Sequence, residues 1–240
     1  MKHFFKCFIF RIKVKNYIEQ ILQDLISFKT ISSTSNQEIV IYLEQLAKKL
    51  GFSTYIFKNP HNNSQSNLFC HIGKPNKDGL ILCGHLDVVP VNEKDWHSDP
   101  FVLTSIDDLY IGRGVVDMKG FIAACFDALY KVNLTKLNKS LALLFTYDEE
   151  NGCHGSAQAI IDLSSSDVND YLPKNVIIGE PTDFSIIRMH KGHLTIKIEA
   201  LGKAFHSSMP DKGVCAIKIL HKALSALFTL EEEFKKQLNM

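Results

Sequence analysis

A histidine and an aspartate stand two positions apart, directly after a short apolar segment. Residues 80–83 form that segment, Gly84 follows it, and His85 and Asp87 come next. Residues two apart in a strand point to the same face, so both side chains can converge on one point. A metal-bound imidazole commonly has a carboxylate nearby that orients it. The pair fits a metal ligand with its orienting partner, although loop backbone could satisfy both side chains instead.

A further carboxylate, Asp117, follows the glycine-containing stretch 112–114 and immediately precedes a predicted helix. An aspartate in this position is a common helix N-cap, and capping alone would account for it. An aspartate at a sheet edge can also offer one oxygen to each of two cations. The residue taken alone leaves both uses open.

Three acidic residues in succession, Asp148, Glu149 and Glu150, end the apolar segment 141–147. Neighbouring carboxylates repel one another, so such a run either faces water or lies beside a cation. Beside a cation, one glutamate can bind the metal while its neighbour accepts a proton from water. Glu180 follows the apolar segment 176–178 in the same way, but an isolated glutamate there would usually be solvated.

Hydrophobic periodicity places these residues at the ends of regular elements. Apolar residues at helical spacing predict helices at 17–28, 37–50, 118–129, 155–163 and 213–228. Apolar or alternating runs predict strands at 53–57, 67–72, 79–83, 140–147, 175–178 and 193–201. Strands that alternate with helices predict an α/β sheet covered on both faces, with ligands bound beyond the carboxyl ends of its strands. Four successive strand or loop ends carry a histidine or carboxylate, which predicts a divalent-metal site at that edge.

The hydrophobic pattern of the sequence changes after Pro181. The alternating segment and the amphipathic helix that follow it predict a second, smaller domain. We therefore predict a first, metal-binding domain at 1–181 and the start of a second, smaller domain at 182–240.

Composition narrows the class of partner and the compartment. The formal net charge of +1 gives no broad field for nucleic acid or an anionic membrane, so a small-molecule substrate is expected. The six cysteines form neither a C-x-x-C pair nor a disulfide-like spacing, which favours the reducing cytoplasm. Residues 1–15 have some signal-peptide character, but Lys6 interrupts the apolar run and no small-residue cleavage site follows. No apolar stretch reaches the length of a membrane span.

Six ordered motifs can be compared with known families. They are HLDVVP at 85–90, Trp96 with SDPF at 98–101, GRG at 112–114 leading to DMKG at 117–120, DEE at 148–150, GEPT at 179–182, and GKAFHSSMP at 202–210. Together they resemble the two-metal hydrolase family of deacetylases, desuccinylases, aminoacylases and bacterial glutamate carboxypeptidases, over about residues 24–216. The resemblance implies a zinc-exopeptidase-like mixed sheet with helices on both faces, plus the start of a smaller α+β lid/dimerisation domain.

The resemblance also implies roles for single residues. His85 and Glu180 would bind one zinc ion, Glu150 the second, and Asp117 would bridge the two, with cobalt able to replace zinc. Asp87 would orient His85, and Glu149 would be the general base that activates water.

His206 resembles the lid histidine that reaches across a homodimer to stabilise the tetrahedral oxyanion. An ordinary surface-loop histidine is the alternative for this residue.

Within the family, the motifs SDPF, DMKGF and HKG at 190–192 lean toward the acetylornithine branch. The expected reaction is removal of the acetyl group from N-acetylornithine, a small N-acyl amino acid used in arginine biosynthesis. Desuccinylation of succinyl-diaminopimelate is the first alternative and aminoacylase or dipeptidase activity the second, because one metal core serves all of them.

The chain departs from the family in one respect. Family members carry another metal-ligating histidine far downstream, whereas no histidine follows His221, which lies in the predicted helix 213–228. We expect the second zinc to lack one protein ligand and the sheet to lack its closing strands. The chain is then either a fragment or part of a split enzyme, or a non-catalytic remnant. Low activity and poor solubility are expected of these 240 residues alone.

Overall fold

The computed structural model describes residues 17–107, 109–189, 192 and 195–238. Its helices are α1 (Tyr17–Ser27), α2 (Gln37–Lys49), α3 (Lys119–Lys131), α4 (His154–Ser164) and α5 (Ala216–Leu238). Its strands are β1 (Ser53–Asn59), β2 (Asn62–Ile72), β3 (Leu80–His85), β4 (Thr104–Ile106), β5 (Leu109–Ile111), β6 (Leu141–Thr146) and β7 (Asn175–Ile178). The chain divides into two compact units, one ending at Arg188 and one beginning at Met189.

The main sheet has the strand order β1-β2-β6-β3-β7. β2 runs antiparallel to both β1 and β6, whereas β3 lies parallel to both β6 and β7. In the register, His85 lies opposite Thr146 and Cys83 lies opposite Ile178. The carboxyl ends of β6, β3 and β7 therefore meet at one edge of the sheet.

The hydrophobic core lies on both faces of this sheet. Alternate residues of β2 point to opposite faces, so Leu68 and Cys70 join a large cluster with residues of α1, α2 and α3. Phe69 belongs to a smaller cluster that includes Ala159 and Leu163 of α4. This arrangement confirms the predicted mixed α/β sheet with helices on both faces.

The two helices nearest the amino terminus follow the predicted periodicity closely. In α1, Ile18, Ile21, Leu22, Leu25 and Ile26 are buried, as expected of one apolar face. After α2, Gly51 has a positive φ of 88°, a backbone conformation that glycine adopts without steric penalty at a helix C-terminus.

Two elements differ from the expected boundaries. β2 begins at Asn62, five positions before the predicted start, because the polar residues Gln65, Ser66 and Asn67 are buried and hydrogen-bonded. The short hairpin of β4 and β5 was not predicted, since its strands have only three residues each.

The second unit contains one wrong prediction. The expected strand at 193–201 is absent where the structure describes it, because residues 195–201 form no ladder with any described neighbour. An isolated bridge between Lys203 and Val214 is the pairing found there. The helix expected at 213–228 is α5, which extends ten residues further through a segment with Lys235–Glu231 and Lys235–Glu232 ion pairs.

Two predictions concern residues outside the described ones, namely the possible signal segment at 1–15 and the motif residues His190 and Lys191. The cysteines that are described, Cys70, Cys83, Cys125, Cys153 and Cys215, are all free thiols. Among the described helices, none combines the length and apolarity needed to cross a bilayer.

Candidate metal centre

His85 is the buried centre of the candidate site. It is the last residue of β3 and its residue exposure is 2%. Its Nδ1 lies 2.9 Å from the backbone oxygen of Asp87, and its Nε2 lies 2.9 Å from Oδ1 of Asp117. One ring nitrogen is thus held by the chain that follows β3, while the other faces a carboxylate.

Asp117 does not serve as a helix cap. The N-cap of α3 is Met118, which makes no side-chain capping hydrogen bond. The Asp117 carboxylate instead contacts Nε2 of His85, so the capping alternative is wrong.

Two glutamates approach the same ring nitrogen from the ends of the flanking strands. Oε2 of Glu149, after β6, lies 4.0 Å from His85 Nε2, and Oε1 of Glu180, after β7, lies 3.8 Å away. Both carboxylates are partly exposed, whereas the imidazole is buried. The parallel register of β6, β3 and β7 produces this convergence.

Two sets of side chains in the described residues have the geometry for a metal ion. One consists of His85, Glu149 and Glu180, and the other of His85, Asp117 and Glu150. Within each set, the candidate ligand atoms all lie within 4.8 Å of one another. All of the metal ligands expected from sequence are therefore brought together, and Glu149 lies among them.

Asp87 contacts more than His85. Its Oδ1 is 3.5 Å from His85 Nδ1, while the carboxylate accepts hydrogen bonds from the backbone N–H groups of Glu149 (2.9 Å) and Glu150 (3.2 Å). Ser32 Oγ donates to the same carboxylate at 2.7 Å. Asp87 therefore fixes the loop that carries the two glutamates as well as facing the imidazole.

The local charge shifts the protonation equilibria of the site. Burial and the nearby charge of Asp117 raise the pKa of Glu150 to about 7. Burial likewise raises the pKa of Glu180 to about 7, with Asp117 and Glu149 adding to the effect against the opposing charge of His85. Crowded carboxylates that resist losing their protons mark a place where a cation would be favourable.

His85 responds in the opposite sense. Burial alone would lower the pKa of its imidazole, but the hydrogen bonds with Asp117 and Asp87 raise that pKa to about 11. The pKa of Asp87 is lowered, since the hydrogen bonds from His85, Glu149 N–H and Ser32 outweigh its burial.

Glycines allow α3 to pack directly beneath the site. A Cβ on Gly84 would lie 3.0 Å from Cε of Met118, and a Cβ on Gly179 would overlap the ring of Phe121. The residues that follow these glycines are His85 and Glu180, so close helix packing sets the position of both.

A segment that sequence reasoning missed supports the site from the side. The backbone of Ser32 donates to Val88 O at 3.1 Å, and Val88 N–H donates to Thr30 O at 2.9 Å. Thr30 Oγ1 also donates to Leu86 O at 2.6 Å. Residues 30–32 thus run alongside the chain that leaves β3. The serine-rich run 32–35 gave the only sequence signal, and it reads as an ordinary loop.

Lys119 also has a structural role that the sequence did not indicate. Its side chain is fully buried at the start of α3, and its Nζ donates to the carbonyl oxygens of Leu25 (3.0 Å) and Phe28 (2.8 Å). Burial lowers the pKa of its amine to about 7. Lys119 thereby links the start of α3, two residues after Asp117, to the end of α1.

His206 belongs to the second unit. Its side chain is exposed, its Nδ1 lies 2.8 Å from Ser208 Oγ, and that nitrogen also accepts from Ser208 N–H at 3.2 Å. The described contacts of this imidazole are with Ser208 of its own loop.

Comparison with known proteins shows the same family throughout. The sequence-family model for peptidase family M20/M25/M40 matches residues 81–238 of this chain. The acetylornithine deacetylase of Buchnera aphidicola subsp. Acyrthosiphon pisum (strain APS) is 36% identical over 231 residues, which cover 94% of this chain and 58% of that protein. The acetylornithine deacetylase of Proteus mirabilis (strain HI4320) is 37% identical over 234 residues, covering 95% and 58%. The chain spans 58% of the length of both relatives.

Solved structures share the fold. An M20 family metallo-carboxypeptidase, Sso-CP2 from Sulfolobus solfataricus, superposes with a TM-score of 0.59 at 25% identity, covering 69% of this chain and 37% of that one. A tripeptidase from Staphylococcus aureus gives a TM-score of 0.59 at 18% identity, covering 87% and 55%.

Proposed function

This chain belongs to peptidase family M20/M25/M40, and from that premise we propose that it is the metal-binding part of an acetylornithine deacetylase. The proposed reaction is hydrolysis of the amide bond that joins the acetyl group to N-acetylornithine. The choice of N-acetylornithine as the substrate follows the names of the relatives from Buchnera aphidicola and Proteus mirabilis, because one metal core can serve several related amides.

The convergence on His85 carries the proposal. A buried imidazole faces carboxylates from three separate chain segments, and the candidate ligand atoms of each of two sets lie within 4.8 Å of one another. Imidazole and carboxylate are the ligand types that zinc accepts at catalytic sites. Burial and neighbouring carboxylates raise the pKa of both Glu150 and Glu180 to about 7, and a divalent ion would favour the charged form of both. The donor set therefore fits the metal that the family implies.

We assign the ligands as the family resemblance suggests. His85 and Glu180 would hold one zinc ion, Glu150 the other, and Asp117 would contact both, with cobalt as a substitute. When bound, two such ions polarise an amide carbonyl and lower the pKa of water.

The remaining chemistry belongs to the side chains of this chain. Glu149 is partly exposed at the rim of the cluster, so its carboxylate can reach both water and substrate. It accepts the proton of the attacking water and then donates that proton to the amine nitrogen that leaves. Asp87 holds the backbone of Glu149, which keeps that carboxylate aimed at the reacting atoms.

The wider assignments are part of the same proposal. Residues 1–181 would form the catalytic domain and 182–240 part of the lid. In a homodimer formed through the lid, His206 would donate a hydrogen bond to the developing oxyanion. A cytoplasmic location is consistent with the free cysteines of the described residues.

Substitution of Glu149 by Gln tests the assigned chemistry. In a protein that also carries the rest of the family's catalytic domain, the amide cannot carry the proton, so kcat for N-acetylornithine should fall by about 10²–10⁴-fold while bound zinc is retained. Glu150→Gln is the matched control, since it should lose metal as well as turnover. Zinc content by atomic emission, measured beside kcat, separates the two variants. Loss of zinc from Glu149→Gln would contradict the role of Glu149.

Substrate choice needs a separate assay. Hydrolysis of N-acetylornithine should exceed that of succinyl-diaminopimelate when both are measured with added zinc or cobalt. A preference for the succinylated substrate would replace the deacetylase assignment with the desuccinylase one.

A further inference from the structure

Asp148 is the one member of the acidic run 148–150 whose carboxylate lies outside the candidate metal-binding sets. Its residue exposure is 6%, and Oδ1 accepts hydrogen bonds from Ser33 N–H at 2.6 Å and Gln65 Nε2 at 2.8 Å. Gln65 is itself buried and accepts from Asn59 Nδ2 at 3.0 Å. Neither candidate metal set of the described residues includes Asp148.

The backbone of Asp148 makes the turn that aims the two glutamates. Its φ of 49° lies in the left-handed region, which aspartate tolerates better than most residues. Directly after this turn, the N–H groups of Glu149 and Glu150 point to the carboxylate of Asp87. The direction of both glutamates therefore depends on the turn at Asp148.

Two adjacent serines connect the carboxylates on either side of this turn. Ser32 Oγ donates to Asp87, and the N–H of the next residue, Ser33, donates to Asp148. Ser33 Oγ also accepts from Asn151 Nδ2 at 2.8 Å, which ties the far side of the loop to the same segment. The chain that leaves β3 and the chain that leaves β6 are thus joined through residues 32–33.

We propose that Asp148 is a positioning residue, which sets the positions of the metal ligand Glu150 and of the general base Glu149. Its carboxylate, held by Ser33 N–H and Gln65, locks the left-handed turn that places Glu150 among the metal ligands and Glu149 at the rim. This inference rests on the proposed function and adds a residue that binds neither metal nor substrate.

Three variants test the proposal in the full chain. Asp148→Ala removes the acceptor, whereas Asp148→Asn keeps an oxygen acceptor and tolerates the left-handed backbone. Asp107→Ala is the matched control, because Asp107 has a similar φ of 50° but an exposed side chain in the turn between β4 and β5. The readouts are Co²⁺ affinity by chelator competition in this chain, and kcat and KM for N-acetylornithine in a protein that also carries the rest of the family's catalytic domain.

Asp148→Ala should weaken Co²⁺ binding or lower kcat by about 10–100-fold, the range typical of residues that orient metal ligands, with little change in KM. Asp148→Asn should restore at least most of that loss, and Asp107→Ala should match the unmodified protein. If Asp148→Ala does not fold, Gln65→Met removes one of the two donors and should shift Co²⁺ affinity in the same direction by a smaller factor.

The opposite outcomes are distinct from failure of the proposed function. Unchanged Co²⁺ affinity and kcat in Asp148→Ala, or in Gln65→Met where that variant decides, would overturn this inference alone. Equal losses of Co²⁺ affinity and kcat in Asp148→Asn and Asp148→Ala would also overturn the inference. The oxygen acceptor that Asn keeps would then not be what positions the site. An unmodified protein that binds no Co²⁺ would overturn both the proposed function and this inference.

Discussion

Two buried histidines in the same sheet have opposite surroundings. His85 ends β3 among carboxylates, and His71 lies near the end of β2, opposite Ala142 of β6. Their residue exposures are similar, at 2% and 6%. Burial alone therefore does not distinguish a candidate metal ligand from a structural histidine.

The neighbours of His71 are aromatic rings. Its imidazole stacks on Tyr171 with ring centroids 3.9 Å apart and on Tyr55 with centroids 5.7 Å apart. Neither ring nitrogen has a hydrogen-bond partner in the part of the chain that the structure describes. Burial lowers the pKa of His71, whereas the carboxylates raise that of His85 to about 11. Charge in the surroundings, rather than residue type, distinguishes the histidine of the candidate metal site from the histidine of the core.

The largest expected difference between the two histidines is in metal binding. His85→Gln should lower zinc affinity by more than about 100-fold, because it removes the imidazole shared by both candidate metal sets. His71→Phe keeps an aromatic ring in the stack and should leave zinc affinity unchanged. Isothermal titration of each metal-free variant with zinc measures both. Comparable losses in the two variants would remove the distinction.

An intermediate effect is expected from pH. Glu150 and Glu180 have pKa values near 7, so below pH 7 protons compete with metal for these carboxylates. Zinc affinity should therefore fall as pH decreases from 8 to 6, by up to roughly tenfold per pH unit for each proton displaced. His71→Phe should show the same slope. Protonated His85 alone gives a constant slope over this range, so a slope that does not steepen below pH 7 would argue against glutamate ligands.

The smallest effect concerns stability and belongs to His71. Its pKa in the folded protein lies below the ordinary value of 6.5, so the unfolded chain takes up the proton first as pH falls. The stability provided by the neutral imidazole is thus present above pH 6.5 and is lost below it, by at most about 1.4 kcal/mol per pH unit.

Urea unfolding of the metal-free protein at pH 7.5 and 5.5 measures this loss. The loss of unfolding free energy between the two pH values should be smaller in His71→Phe than in the unmodified protein. Equal losses in both proteins would mean that His71 keeps its ordinary pKa in the fold.

The candidate site was largely predictable because its residues follow regular elements. Apolar runs predicted β3, β6 and β7, and parallel strands necessarily bring their carboxyl ends to one edge, where His85, Glu149, Glu150 and Glu180 lie. Asp117 could not be assigned from local sequence, because a helix cap and a ligand look alike there. In the structure Asp117 makes no cap, and its carboxylate lies beside His85 Nε2.

Other features depend on contacts that periodicity does not contain. The polar start of β2 is buried because Gln65 and Asn67 have distant partners, Asp148 and Gly155, about 80 positions further along the chain. Residues 30–33 read as a loop, although they support the site. The alternation at 193–201 had the right period for a strand, but a strand also needs a neighbour to pair with.

Zinc location in a crystal tests the central claim most directly. Crystals grown with zinc should show anomalous difference density, recorded above the zinc absorption edge, between His85 Nε2 and the carboxylates of Asp117, Glu150 and Glu180. Zinc bound elsewhere, with these four side chains ordered and free of metal, would contradict the account.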